Sequence, residues 1–427
     1  MWWKKKLDLI GQVFFLGDLA PALHELDGLE AAGVRVSSVT AGHDEIWAAA
    51  LEHPDWGSAR LACQRGAQKL PPLLIDISCG LTEVERERLR TSAEVPLQLT
   101  LPARDDDVLR DRKRLLRFMS AVMGADGIAG FDVHSQMIWT PDRLADELQH
   151  DAPLDIIQVH VLHVVTEDDG VWLHSHGLAE MGFLDFDVLR PAQALTEEQF
   201  DVLRAIAFQL VEDGGNGEIW PVMGADPLSL IDAATFMRSA SAADRALRDP
   251  EHHTDRRVIC CDPKPPGFFS RLFGAKEIRP SRLLSRGMVE GVHLVNFSTE
   301  ATELTATRAR ETLELYSDLG REFADLECTS LAKIGYPTDS GGHDGGREHL
   351  WFEVHDIDDH GIHATLINEP HDIERMNAGD RSRHPLDSLT DWTIVTPIGQ
   401  LTARNLELAR SLRALRPDIL EALEEKR

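Results

Sequence analysis

A chain of 427 residues is longer than one hydrophobic core sustains, because single cores stop growing at roughly 250–300 residues; two or three domains are expected. Its 72 acidic residues outweigh 44 Lys plus Arg, for a formal net charge of −28 and a pI near 5.0. That balance argues against nucleic-acid binding, which needs a basic footprint, and 43% hydrophobic residues argue against wholesale disorder.

The first half alternates short apolar runs with helical patterns. Gln12–Leu16 and Val34–Val39 read as strands around a helix from Pro21 to Ala32, opened by a favourable early proline. Leu73–Ile77 and Val95–Leu101 read as strands flanking a charged helix from Thr82 to Arg90, where Thr82 and Glu85 make a capping box. Val108–Met123 is the clearest amphipathic helix. Phe131–Trp139 follows as a short strand pair, and Thr140-Pro141 opens a helix through Leu148. Ile156–Thr166 and Val171–Ser175 suggest a hairpin, Phe183–Leu189 a strand, and Thr196–Val211 a helix.

Toward the C-terminus, Glu300–Leu326 reads as one long amphipathic helix. Leu331–Tyr336 is a strand, Leu350–Val354 and Ile362–Leu366 an antiparallel pair, Thr393–Thr396 a last strand, and Thr402–Arg416 a terminal helix. The fold class is α+β. The N-terminal module is expected to be α/β-sandwich-like with a mixed sheet, and the smaller C-terminal module to carry a bent antiparallel sheet.

Charge and proline locate the division. Residues 251–295 hold 8 basic and 5 acidic residues, a net of +3, with Pro263, Pro265, Pro266 and Pro280. Residues 296–427 hold 14 basic and 26 acidic residues, a net of −12; the remaining 22 basic and 41 acidic residues give 1–250 a net of −19. The expected modules are thus 1–250, with a split into two lobes near 150 left open, and 296–427, joined by a connector over 251–295.

No run of 18 or more apolar residues occurs, so a membrane-spanning helix is not expected. Lys4-Lys5-Lys6 is followed by Asp8, Gln12 and Asp18 without a small-residue cleavage site, so a secretory signal is not expected. Cys63, Cys79, Cys260, Cys261 and Cys328 lack CxxC spacing and fit buried thiols in a reducing cytoplasm. Phe268, Phe269, Leu272 and Phe273 in the connector make an apolar turn too short for stable membrane association.

Two histidine clusters invite a chemical reading. His174 and His176, at i and i+2 on a strand, point to one face, and His160 or His163 would complete a zinc-like site with Glu180 nearby as base or orienter. The plainer reading is hydrogen bonding at a strand end. The second cluster runs from His343 to His363 and is dominated by acids at its hairpin tip. It lacks the spaced ligands of a calcium loop and reads as a solvated turn. The loop Gly341-Gly342-His343-Asp344-Gly345-Gly346 fits neither phosphate-loop pattern, and no GxSxG elbow occurs.

The stretches Glu348-His349-Leu350-Trp351-Phe352-Glu353-Val354, Leu366-Ile367-Asn368-Glu369-Pro370, Gly379-Asp380 and Asp391-Trp392 occur in that order. Together with Ala309–Phe323 and Leu331-Ala332-Lys333-Ile334 they resemble the bacterial family Domain of Unknown Function 2314, over about residues 296–412. The inserted glycine-rich loop before Glu348 departs from that pattern. Gly127–Trp139 with Pro141, and Val171–Leu178 running into Gly182–Val188, are similar more loosely to families 4026 and 4261 of the same kind. The resemblance implies a bacterial protein without an assigned activity, and it supplies no catalytic residue.

Two expectations follow. The leading one is a cytoplasmic, non-catalytic binding or interaction module, of inhibitor or immunity type, whose acidic surface suits a basic protein partner and which needs no cofactor. His349, Asn368, Asp380, Asp391 and Trp392 are its candidate ligand-binding surface, although turn and core roles explain the last four. The alternative is a hydrolase dependent on zinc or another divalent metal, built on His174, His176 and His160 or His163. Sequence leaves the oligomeric state open.

Overall fold

A computed structural model describes residues 7–16, 20–65, 70–78, 80–91, 96–104, 108–154, 161–167, 170–178, 183–189, 197–212, 218–219, 228–242, 245, 257–261, 299–340 and 347–425. The fold is α+β. The chain divides into two compact units: Met1–Leu144 with Pro153–Ser298, and Ala145–Ala152 with Thr299–Arg427.

The first unit contains two sheets. Strands β1 (Leu9–Phe15), β2 (Arg35–Val39), β3 (Glu45–His53), β4 (Gly57–Gln64), β5 (Leu97–Leu101), β6 (Gly127–Asp132) and β7 (Met137–Trp139) form an antiparallel sheet in the order β2-β3-β4-β5-β1-β6-β7. Its helices are α1 (Asp27–Ala31), α2 (Pro72–Ile77), α3 (Glu83–Thr91) and α4 (Val108–Met123); α5 (Pro141–Leu148) starts in the first unit and belongs to the second from Ala145 onward. Helix α4 lies so close to β1 that a Cβ at Gly11 would come within 2.8 Å of Met119 Sδ. A larger residue at that position would require the Met119 side chain to shift. On the opposite face, Phe14, Ile128, Phe131 and Ile138 pack with Leu74 and Ile75 of α2 and Leu89 of α3.

The second sheet is mixed, as expected. Strands β8 (Val161–Glu167), β9 (Gly170–His176), β10 (Asp185–Leu189), β11 (Glu218–Ile219), β12 (Leu228–Asp232) and β13 (Arg257–Cys261) adopt the order β11-β12-β13-β10-β9-β8, with β10 and β13 parallel. Helices α6 (Glu197–Glu212) and α7 (Ala233–Ser239) accompany it, and Phe236 packs on Leu189, Ile231 and Ile259.

In the second unit, β14 (Thr329–Pro337), β15 (Arg347–Asp358), β16 (Gly361–Leu366), β17 (Arg381–His384), β18 (Leu389–Thr396) and β19 (Gly399–Thr402) form an antiparallel sheet in the order β17-β16-β15-β14-β18-β19. Thr390 and His355 are the extra residues of two bulges, a device that bends strands. Helices α8 (Thr299–Glu311), α9 (Leu313–Glu322) and α10 (Glu407–Glu425) contribute Ala309, Tyr316, Leu319, Ala409 and Leu412 to one core. The sheet contributes Ala332, Ile334, Leu350, Phe352, Ala364, Trp392 and Ile394. All these strand residues share one face.

Several expectations are corrected. Residues 73–77, read as a strand, belong to helix α2; Pro72 sits in the first turn, where its missing N–H costs nothing, and Ile75 is buried while Leu73 is exposed. The β3–β4 hairpin had no counterpart in the sequence reading. The long helix over 300–326 breaks at Thr312 into α8 and α9, followed by a 3-10 turn over Ala324–Leu326. The terminal helix begins at Glu407, because 399–402 is a strand closed by a turn in which Asn405 Oδ1 accepts the Thr402 N–H at 2.7 Å. Residues 257–261, placed in the connector, form an interior strand of the mixed sheet; their run Val258-Ile259-Cys260-Cys261 is wholly buried. The phenylalanines at 268, 269 and 273 lie outside the described residues.

Candidate functional site

The five C-terminal candidates take three kinds of position. Asp391 and Trp392 are successive strand residues and must face opposite ways. Trp392 accordingly points into the core, fully buried. It donates Nε1–H to Thr312 Oγ1 at 2.8 Å and stacks on Tyr316 with ring centroids 4.9 Å apart. It is no part of a binding surface, which corrects the expectation. Asp391 faces outward: Oδ1 accepts the N–H of Trp392 at 2.9 Å, and Oδ2 lies 3.6 Å from Arg404 Nη1.

Asn368 and Asp380 hold the loop after β16. Asn368 Oδ1 accepts the Trp351 N–H at 2.8 Å, and Asp380 Oδ2 accepts the Asn377 N–H at 2.8 Å. Glu348 fastens the same loop by accepting the N–H groups of His371 and Asp372 at 2.6 and 2.8 Å. Asn368 and Asp380 thus do the turn-building work that their residue types suggest.

His349 is different. It stands opposite Gly335 on the sheet face turned away from the helices. Thr390 Oγ1 donates its one hydrogen to the Lys333 carbonyl at 3.1 Å, so at 3.0 Å it accepts from His349 Nδ1–H. This fixes the tautomer and leaves a lone pair on Nε2. Burial, aided by Lys333 and Arg347, lowers the imidazole pKa to about 4, so the ring is neutral at physiological pH. Beside it, Trp351 pairs in register with Lys333, whose ammonium lies 5.6 Å from the indole centroid.

The outward face of β14, β15 and β18 therefore brings together His349, Trp351, Lys333, Thr390 and Asp391. Trp351 and Lys333 were not singled out from sequence. The signal available was the alternation in Leu350-Trp351-Phe352, which sends Leu350 and Phe352 inward and Trp351 outward.

At the hairpin tip, Asp358 Oδ1 accepts the His360 N–H at 2.8 Å while Oδ2 pairs with Arg383 at 3.1 Å. The backbone bond from His360, then Arg383, lowers the Asp358 pKa. His355 Nε2 meets Thr365 Oγ1 at 2.8 Å. These side chains stabilise a turn.

In the first unit, His174 and His176 meet edge to face with ring centroids 4.7 Å apart. His174 is buried, and in register it stands between His163 on β8 and Asp187 on β10. Asp185 Oδ1 accepts from Ser175 Oγ at 2.8 Å and from the Leu178 N–H at 3.2 Å, fastening the end of β9. Among the described residues, no group of three or more His, Cys, Asp or Glu is placed to hold a metal ion. His160 and Glu180 lie outside the described residues. Among the described residues, too, no helix is long and apolar enough to cross a membrane.

No curated protein and no solved structure matches the chain. Two family models do. Residues 300–407 match the family described as an uncharacterized protein conserved in bacteria (DUF2314), and residues 160–230 match the C-terminal region of the protein of unknown function DUF4026. The two matches follow the order that the sequence motifs suggested.

Proposed function

We propose that the protein is a protein-binding module that engages its partner across the outward face of the C-terminal sheet, with Trp351 as anchor. The carrying observation is the one-sided unit. Its described helices all contribute to the core on one face, while Trp351, Lys333 and His349 occupy the other. Tryptophan is among the residue types most enriched at interface hot spots, and Lys333 lies over the indole beside it. The neutral His349 supports this reading by offering an acceptor nitrogen beside the indole without adding charge.

The chain's net charge of −28 acts at longer range and selects a basic partner, as an inhibitor or immunity-type protein would. The test is affinity capture with the tagged full chain and its Trp351→Ala variant at increasing salt. A basic polypeptide retained by the wild type, reduced at least about tenfold by the variant and weakened by salt, is the expected result. Equal retention by both chains, or no specific protein at low salt, overturns the proposal.

A further inference from the structure

We infer that β2 is an interaction edge through which two copies of this chain pair, joining their seven-stranded sheets into one. An edge strand presents unpaired backbone N–H and C=O groups, and natural proteins blunt such edges unless they use them. Three of the other five edges show how this chain does so. Strand β17 carries Arg381, Arg383 and His384 among its four residues, β11 is two residues long, and the three residues of β7 are all buried.

Strand β2 has none of these defences. It is five residues long, contains no proline, and is exposed at every position. Its single charge, Arg35, is offset by Glu52 of β3 at 3.0 Å. Among the described residues, no strand pairs with its outer edge. Three of the exposed large apolar side chains lie on this margin: Val36 at 41%, Val39 at 39% and Ile46 at 51% exposure.

Charge selects the occupant. Two chains of −28 repel over most of their surface, yet residues 31–43 contain no Asp or Glu. This acid-free edge lets a second copy approach without facing carboxylates of its own kind. Antiparallel pairing about a two-fold axis keeps each face of the sheet continuous. Centred on Ser37, it pairs all five residues, with Arg35 opposite the second copy's Val39 and Val36 opposite its Ser38. The two Val36 side chains then become diagonal neighbours on one face.

The full-length protein tests this in two ways. Sedimentation should show a reversible dimer at about 100 µM, and Val36→Asp with Ser38→Asp should weaken it at least about 100-fold, because each aspartate then stands directly opposite an aspartate of the second copy. At the two-fold axis the Ser37 Cα atoms would be about 4.5–5.5 Å apart, within disulfide range. Ser37→Cys should therefore give a covalent dimer under mild oxidation, mapped by mass spectrometry to position 37 of both chains. Ser58→Cys, exposed on the interior strand β4, should not. A monomer at all concentrations, a dimer indifferent to the aspartates, or a dimer that Ser37→Cys fails to cross-link overturns the inference.

Discussion

Each unit buries an arginine–carboxylate pair, and the two pairs are built differently. In the first unit, Arg112 of α4 meets Asp132 at the end of β6, 20 residues away, both side chains at most 2% exposed. Asp132 also accepts the N–H groups of His134 and Ser135 at 3.2 Å, and Asp185 of the mixed sheet lends Arg112 a second negative charge. In the second unit, Arg308 of α8 is held in bidentate fashion by Glu147, 161 residues earlier in the chain, and donates Nε–H to the Ala403 carbonyl at 3.4 Å. One arginine has two acids near it. The other depends on a carboxylate supplied by a distant segment.

That contrast predicts unequal sensitivity. Glu147→Ala strands a buried guanidinium and should cost the second unit about 3–5 kcal/mol, read as faster amide exchange over Leu389–Thr396. Pairing Glu147→Leu with Arg308→Met should recover most of the loss, since apolar groups of similar volume often replace a buried ion pair at little cost. Asp132→Asn retains an acceptor for the turn and leaves Asp185 near Arg112. Its expected cost is about 1–3 kcal/mol in denaturant unfolding. If Asp132→Asn proves the more damaging, the redundancy argument fails.

Acid titration separates another contribution. His349 is neutral when folded, with a pKa of about 4, whereas an unfolded histidine titrates near its ordinary value of 6.5. Between those values the unfolded state binds more protons, so stability falls as pH drops from about 6.5 to 4. Burial lowers the His384 pKa as well, with the same sign. His349→Gln should remove part of this slope, on the order of 1–2 kcal/mol after allowing for solvent screening, measured as the midpoint of urea unfolding against pH. The smallest effect belongs to a surface pair. Arg413→Ala breaks two 2.7 Å bonds to Glu322, but the side chains are 50% and 33% exposed, so the loss should stay below about 1 kcal/mol.

Sequence disclosed the elements whose local signals agree. The helix over Val108–Met123 has the expected boundaries, and the Thr82–Glu85 capping box is formed, with Thr82 N–H to Glu85 Oε2 at 2.7 Å and Glu85 N–H to Thr82 Oγ1 at 3.3 Å. Strands β3 and β4 escaped because Ala48-Ala49-Ala50-Leu51 and Ala59-Arg60-Leu61-Ala62 carry low β propensity, and both neighbours Ala48 and Ala49 are buried, which erases alternation. Thr312 looked like any helical residue. Its tertiary partner Trp392 decides otherwise, since Thr312 Oγ1 accepts the indole N–H where the helix breaks.

The candidate site was legible in part for the same reason. His349 stood out by residue type, and the turn roles of Asn368 and Asp380 followed from theirs. The outward aim of Trp351 and the inward aim of Trp392 depend on strand phase, which two bulges shift within this sheet.

The short segment 145–152 has a consequence for how this protein can be taken apart. The family match covers 300–407, yet the unit that folds around it also includes Ala145–Ala152 and a helix running to Glu425. Glu147 and Asp146 in that segment supply counter-charges to Arg308 and Arg410, the latter at 2.6 Å. A gene fragment cut at the family boundary would therefore encode a domain in which Arg308 lacks Glu147. Any transplant of the DUF2314-matching region from this chain must carry an acidic helix with it, or exchange Arg308 for an apolar residue.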